Sequence, residues 1–219
     1  MSNIALFNMV EQQIRPWNVQ SPALLKAISG LDRSVFIPTG QQALCYFDLP
    51  LELADGARML EPKVAARLVQ ALDIQPDDDV LVIGAGSGYS LALCARLAHS
   101  VVCHDTSQAA LDRAEINCAA AGIKNVGFQK VDTLYGANGG VLYDAVLLRQ
   151  RVLDAPQACL DKLADGGRCA AMIGSDYVAE LQCHTRTGAD VRKASIIEIL
   201  TPADDASPGS AQVKASFVF

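Results

Sequence analysis

Residues 79–97, DVLVIGAGSGYSLALCARL, constrain the fold more than any other stretch of the chain. Val80, Leu81, Val82 and Ile83 form an unbroken apolar run, the pattern of a parallel strand buried on both faces. Gly84, Gly86 and Gly88 follow at alternate positions, where the backbone can turn sharply and lie against a ligand that any side chain would displace. Ser87 or Ser90 can cap the helix that comes next. A strand, a glycine turn and a helix in that order make a nest for a small ligand.

Spacing narrows the choice of ligand. The dinucleotide fingerprint places glycines at its first, third and sixth positions, and the sixth position here is Tyr89. A phosphate loop would end in Gly-Lys-Ser/Thr, which is absent. What remains for strand-GxGxG-helix is the loop of an S-adenosylmethionine methyltransferase, or a tight turn in some other α/β protein.

Composition agrees with a globular chain that has a full core: 219 residues, 51% apolar and 19% charged. A net charge of -6 argues against a broad nucleic-acid or anionic-membrane surface. The seven cysteines have no CxxC spacing and sit mostly in apolar runs, as reduced core residues of a cytoplasmic protein do. The N-terminus lacks the pattern of a signal peptide, and no apolar run is long enough to span a membrane.

Ahead of the glycine loop, Ile4, Phe7, Val10 and Ile14 recur at helical spacing and predict an amphipathic helix ended by Pro16. Ser21-Pro22 opens a second helix to Ile28, closed by Gly30. Residues 31–55 read as an irregular flank anchored by Phe36-Ile37-Pro38 and residues 46–51, and Pro62 opens a helix over 63–72. Beyond the loop, strands are expected at 100–105, 126–131, 144–148 and 168–173, with helices over 107–121 and 156–163. This alternation predicts a doubly wound parallel sheet. Runs at 181–186, 193–200 and 213–219 have no helix between them, so at least one pair is antiparallel, and 201–212 reads as a loop. The expectation is a single domain over 1–219: an N-terminal helical cap and substrate-side flank (1–75), a cofactor-binding core (76–175) and C-terminal strands (176–219).

Ligands of open α/β sheets bind at the carboxyl ends of the strands. Asp105 ends the second strand of the core and can accept hydrogen bonds from ribose hydroxyls, or else begin a surface turn. Asp132, followed by Thr133, ends the third strand, where an adenine amine would lie. Arg149 and Arg151 follow the fourth strand, and either hold an anionic substrate or lie solvated at the surface, the second being preferred. His99, His104 and His184 lack metal-ligand spacing and read as structural. No nucleophile elbow is present.

Along nearly its whole length the chain resembles the protein-L-isoaspartate (D-aspartate) O-methyltransferases. The resemblance is carried by Met9-Val10 with Gln13-Ile14-Arg15, by Phe36-Ile37-Pro38, by residues 46–51, by residues 83–89, by residues 156–163, and by Gly166-Gly167-Arg168 through Gly174. It implies a Rossmann-like methyltransferase sheet and transfer of a methyl group from S-adenosylmethionine to the free carboxylate of an isoaspartyl residue in damaged protein. It also implies that Gly84, Ala85, Gly86, Ser87, Gly88 and Tyr89 surround the cofactor. Asp105 with Thr106 would then lie on the ribose, and Asp132 with Thr133 near the adenine. The substrate loop corresponds to residues 56–62, which places Arg58, Leu60 and Glu61 at the acceptor side. Leu60 stands where the family has a serine that holds the reacting carboxylate, and Val82 where many members have an acidic residue. Two readings stay open beside this one. One is a methyltransferase for a hydroxyl, amine or small-molecule acceptor, with Glu61 as general base. The other is a cofactor-binding scaffold without turnover.

Overall fold

The computed structural model describes residues 4–136, 140–175 and 177–201, the last stretch without the side chains of residues 177 and 201. The expected strand over 213–219, and the loop after Thr201, lie outside these residues.

The predicted first helix is shorter than its periodicity suggests. Helix α1 (Ile4–Met9) passes into a wider π-helical turn at Val10–Ile14 and a 3-10 turn at Arg15–Trp17, and Asn18 closes the segment with φ of 59°. Pro16 has no N–H to donate, so the regular ladder cannot run through this point. The buried side is Met9, Val10 and Ile14, while Ile4 and Phe7 are exposed, contrary to the face inferred from spacing. Helix α2 (Pro22–Ser29) starts as its sequence dictates, with Pro22 in the first turn and Ser21 Oγ accepting from Leu24 N at 3.3 Å. Two short strands, β1 (Leu51–Glu52) and β2 (Arg58–Met59), pair antiparallel across the flank, and helix α3 (Pro62–Ala71) follows.

Seven strands form the main sheet: β3 (Asp79–Ile83), β4 (Ser100–Asp105), β5 (Val126–Lys130), β6 (Tyr143–Val152), β7 (Leu163–Gly174), β8 (Tyr177–Thr187) and β9 (Asp190–Thr201). Their order is β5-β4-β3-β6-β7-β8-β9, parallel from β5 to β7 and antiparallel beyond. The doubly wound sheet with antiparallel C-terminal strands is therefore present as the alternation predicts. Helices α4 (Tyr89–Ala95) and α5 (Gln108–Ala120) connect β3 to β4 and β4 to β5. The helix expected over 156–163 is only one turn, α6 (Gln157–Leu160), because β7 begins at Leu163.

Val80, Leu81, Val82 and Ile83 are buried on β3, an interior strand, as a run without polar alternation requires. Six of the seven cysteines are buried as free thiols. Burial pushes the thiols of Cys94, Cys118 and Cys159 up to about 12, which keeps them protonated. Ser107 caps α5 by accepting from Ala110 N at 3.2 Å. Replacing Ser107 by alanine is expected to cost about 1 kcal/mol, read as a lower urea midpoint at constant m-value.

Candidate active site

The glycine loop joins β3 to α4, and its three glycines all have positive φ: 96° at Gly84, 55° at Gly86 and 89° at Gly88. L side chains rarely adopt this conformation, so the GxGxG pattern is demanded by the backbone path itself. Neighbouring elements hold the loop from three sides. Asp105, at the end of β4 and 7% exposed, accepts from Ala85 N at 2.8 Å through Oδ2 and from Ser107 N at 2.9 Å through Oδ1. From α5, Arg113 Nε donates to Gly86 O at 3.0 Å and Asn117 Nδ2 donates to Ser87 O at 2.9 Å. The other guanidinium arm of Arg113 pairs with Asp55 at 2.9 Å and so ties the N-terminal flank to the loop.

The third side is Arg149. In the β6–β7 pairing Leu147 faces Ala170 and Arg151 faces Met172, so Leu148, Arg149 and Gln150 together oppose Ala171. Such a bulge re-aims side chains at a strand end. Arg149 Nε donates to Gly84 O at 3.3 Å, and Nη1 donates to Arg58 O on β2 at 2.7 Å. A Cβ placed on Gly86 would stand 2.7 Å from Arg149 Nε. The loop is glycine at this point partly because the guanidinium lies on it. Arg149 and Arg151 are both buried, which corrects the reading of the pair as solvated surface. Burial lowers the pKa of Arg149, and the negative charge of nearby Asp105 opposes that shift most strongly.

A small pocket, partly open to solvent, lies between the glycine loop and residues Met59 and Leu60, with Arg149, Ser87 and Ser90 on its wall. Of the residues expected from sequence, Ala85, Ser87, Gly88, Tyr89 and Leu60 line this space. Arg58 does not line it, and its carbonyl accepts from Arg149 Nη1. Glu61 does not line it and instead occupies the N-cap position of α3. Thr106, Asp132 and Thr133 lie just past β4 and β5, outside the pocket. Tyr89 is buried, and its phenol is pushed up to about 12 by desolvation. Its ring meets Phe36 edge-on, 5.5 Å between centroids, and carries the Arg33 guanidinium 5.3 Å from its centre. Arg33, fully buried, also donates to Cys45 O and, at 2.9 Å, to Leu60 O.

Arg33, Arg113 and Asn117 are functional neighbours of the loop that the sequence does not single out. Arg113 and Asn117 carry one usable signal, since polar residues four apart on a helix share a face.

A sheet parallel from β5 to β7 and antiparallel beyond, with a positive-φ glycine loop after β3 and an acid at the end of the adjacent β4, is the architecture of the Rossmann-like methyltransferases. Known proteins narrow the class to one family. The model of the protein-L-isoaspartate(D-aspartate) O-methyltransferase family matches residues 5–200, and the chain belongs to this family. Protein-L-isoaspartate O-methyltransferase 1 of Rhodopseudomonas palustris (strain HaA2) is 36% identical over 183 residues, covering 83% of this chain and 75% of the relative. The Methanoregula boonei protein-L-isoaspartate O-methyltransferase is 32% identical, covering 86% and 87%. In fold, the chain is similar to a Plasmodium falciparum protein-L-isoaspartate O-methyltransferase in complex with S-adenosyl-L-homocysteine. That match has a TM-score of 0.73 at 18% identity and covers 92% of this chain and 97% of the other.

Proposed function

We propose that this protein transfers a methyl group from S-adenosylmethionine to a carboxylate of isoaspartyl residues in damaged protein. The observation that carries the reading is the hydrogen bond from Ala85 N to Asp105. It fixes the glycine loop of β3 against the end of β4 within a family match that spans residues 5–200. The residues present fit such a cofactor: the loop follows a positive-φ path, and an acid stands at its side. Gly84 through Tyr89 and Asp105 would hold it, with Thr106, Asp132 and Thr133 toward its nucleoside end. When bound, the cofactor supplies an electrophilic methyl group on a sulfonium.

What the chain itself contributes is position and exclusion of water. An ionised carboxylate needs no general base to accept a methyl group, so alignment supplies most of the rate. Met59 and Leu60 line the pocket on the side away from the glycine loop. Arg33 fixes the backbone at Leu60 from below, and Arg149 fixes it at Arg58 from the side. Glu61 lies outside the pocket lining, which weighs against the alternative in which it deprotonates a hydroxyl or amine acceptor. Among the described residues no helix is long and apolar enough to cross a membrane.

Calorimetric titration of the full chain with S-adenosylmethionine and S-adenosylhomocysteine tests the cofactor. Dissociation constants near micromolar, about -8 kcal/mol, are expected. Methyl transfer to an isoaspartyl peptide, with the matching aspartyl peptide as control, tests the acceptor. Absence of binding to either ligand at millimolar concentration overturns the reading, and so does transfer to both peptides alike.

A further inference from the structure

We propose that the outer edge of β9 is a docking strip for the chain's own residues 213–219, VKASFVF, which add to it as one further antiparallel strand. Nothing in this docking depends on the cofactor or the acceptor. β9 stands last in the sheet, and among the described residues no strand pairs with its outer side. Such an edge presents a row of unpaired N–H and C=O groups unless something blunts or covers it. The first half of β9 is blunted. Val191 through Ser195 are exposed and include Arg192 and Lys193. A bulge at Ile196 then breaks the register, since Leu181 faces Ile197 while Gln182 faces Ser195.

The second half is not. Ile197, Glu198, Ile199 and Leu200 include no proline, no lysine and no bulge, and Leu200 is 85% exposed opposite Val178, itself exposed. Its two faces differ. Ile197 and Ile199 pair with Leu181 and Ala179 on the face that joins the main core, whereas Glu198 and Leu200 belong to the other face. Residues 213–219 carry a matching alternation: Val213, Ala215, Phe217 and Phe219 on one side, Lys214, Ser216 and Val218 on the other. An added strand with both phenylalanines on the side of Ile197 and Ile199 extends the core face, and aromatic and β-branched cross-strand neighbours stabilise a sheet. The same parity puts Lys214 on the face that holds Glu198. A slip of one residue would reverse both matches.

The connection favours this occupant over a second copy of the chain. Residues 202–212, PADDASPGSAQ, follow β9 directly, are rich in turn formers and contain Pro208-Gly209. They exceed the roughly two to five residues that an antiparallel return needs. A strand tethered in this way competes at an effective concentration of the order of millimolar, which a second copy does not reach in dilute solution. The family match covers residues 5–200, so the docking strand is no part of the pattern the chain shares with its family. The test uses the full chain. Backbone and side-chain NOEs between 197–201 and 213–219 are recorded in doubly labelled protein. They are recorded again in an equal mixture of nitrogen-15 and carbon-13 protein, where only contacts between two chains appear. Amide exchange along β9 is followed in wild type, in the double variant Phe217→Asp/Phe219→Asp, and in Ser216→Lys.

In wild type the NOEs are expected within one chain, joining Phe217 and Phe219 to Ile197 and Ile199, and the amides of 197–201 that point away from β8 are expected to be protected. The double variant should speed exchange at those amides by about 10-fold and leave the amides of β3 and β6 unchanged. Ser216→Lys, on the face of Glu198, should exchange as wild type does. If the double variant does not fold, the wild-type NOEs and protection decide alone. Unprotected outward amides without NOEs overturn the proposal and leave the edge bare. NOEs that appear in the mixed sample overturn it in favour of a second copy. Release of the same amides by Ser216→Lys as fully as by the double variant overturns the assignment of faces on which it stands.

Discussion

Asp105→Ala is expected to abolish S-adenosylhomocysteine binding and to destabilise the fold at the same time. The carboxylate joins β4 to the glycine loop through Ala85 N and to the start of α5 through Ser107 N. Both bonds have a charged acceptor, a kind that contributes about 1.5–3 kcal/mol each. Their loss leaves the Ala85 N–H on a buried loop without an acceptor, so a loss of about 3–5 kcal/mol in urea denaturation is the expected magnitude. Asp105→Asn separates the two roles. An amide offers one acceptor oxygen and one donor nitrogen, and two N–H groups face this side chain. One of the two bonds must fail, and the variant is expected to fall between wild type and alanine in stability, with faster amide exchange at Ala85 or Ser107. Unchanged stability and exchange in both variants would show that the loop holds its shape without β4.

The same residue shows what the sequence can and cannot convey. A strand end after an apolar run, followed by a serine cap, places Asp105 at the correct edge of the sheet. Periodicity cannot say that its carboxylate faces the loop backbone, because that depends on the register between β3 and β4 and on the positive φ values of Gly84 and Gly86. The glycine loop itself is legible for the opposite reason: the backbone conformation admits almost no other residue. Arg149 and Arg151 read as surface because charged residues at a strand end are usually solvated. The bulge that buries Arg149 depends on pairing with β7, further along the chain. The N-terminal helix differs for a local reason, since a 3.6-residue spacing of apolar residues does not reveal the wider turn that precedes Pro16. Glu61 belongs to the acceptor side by its position in a motif, and the path into α3 turns it into an N-cap residue away from the pocket wall.

Arg33→Ala is expected to cost about 3–5 kcal/mol although the residue is absent from the pocket lining. Arg33 is fully buried, and burial lowers its pKa, with the Tyr89 phenol, Cys45 and Glu61 opposing that shift. Its guanidinium bridges the carbonyls of Cys45 and Leu60 and lies over the Tyr89 ring. One side chain thus joins the irregular flank, the segment entering α3 and the first residue of α4. Alanine would strand two carbonyls and open space beneath Phe36 and Tyr89. Arg33→Met fills that space without restoring either donor, so the part of the loss it recovers measures packing and the part it does not measures hydrogen bonding. Because Leu60 and Tyr89 both line the pocket, the loss should extend to ligand affinity, and S-adenosylhomocysteine binding at a temperature where each variant is folded should weaken in the order Met, then Ala. Equal urea midpoints for wild type and Arg33→Ala would mean that the flank docks on the sheet through its apolar anchors alone.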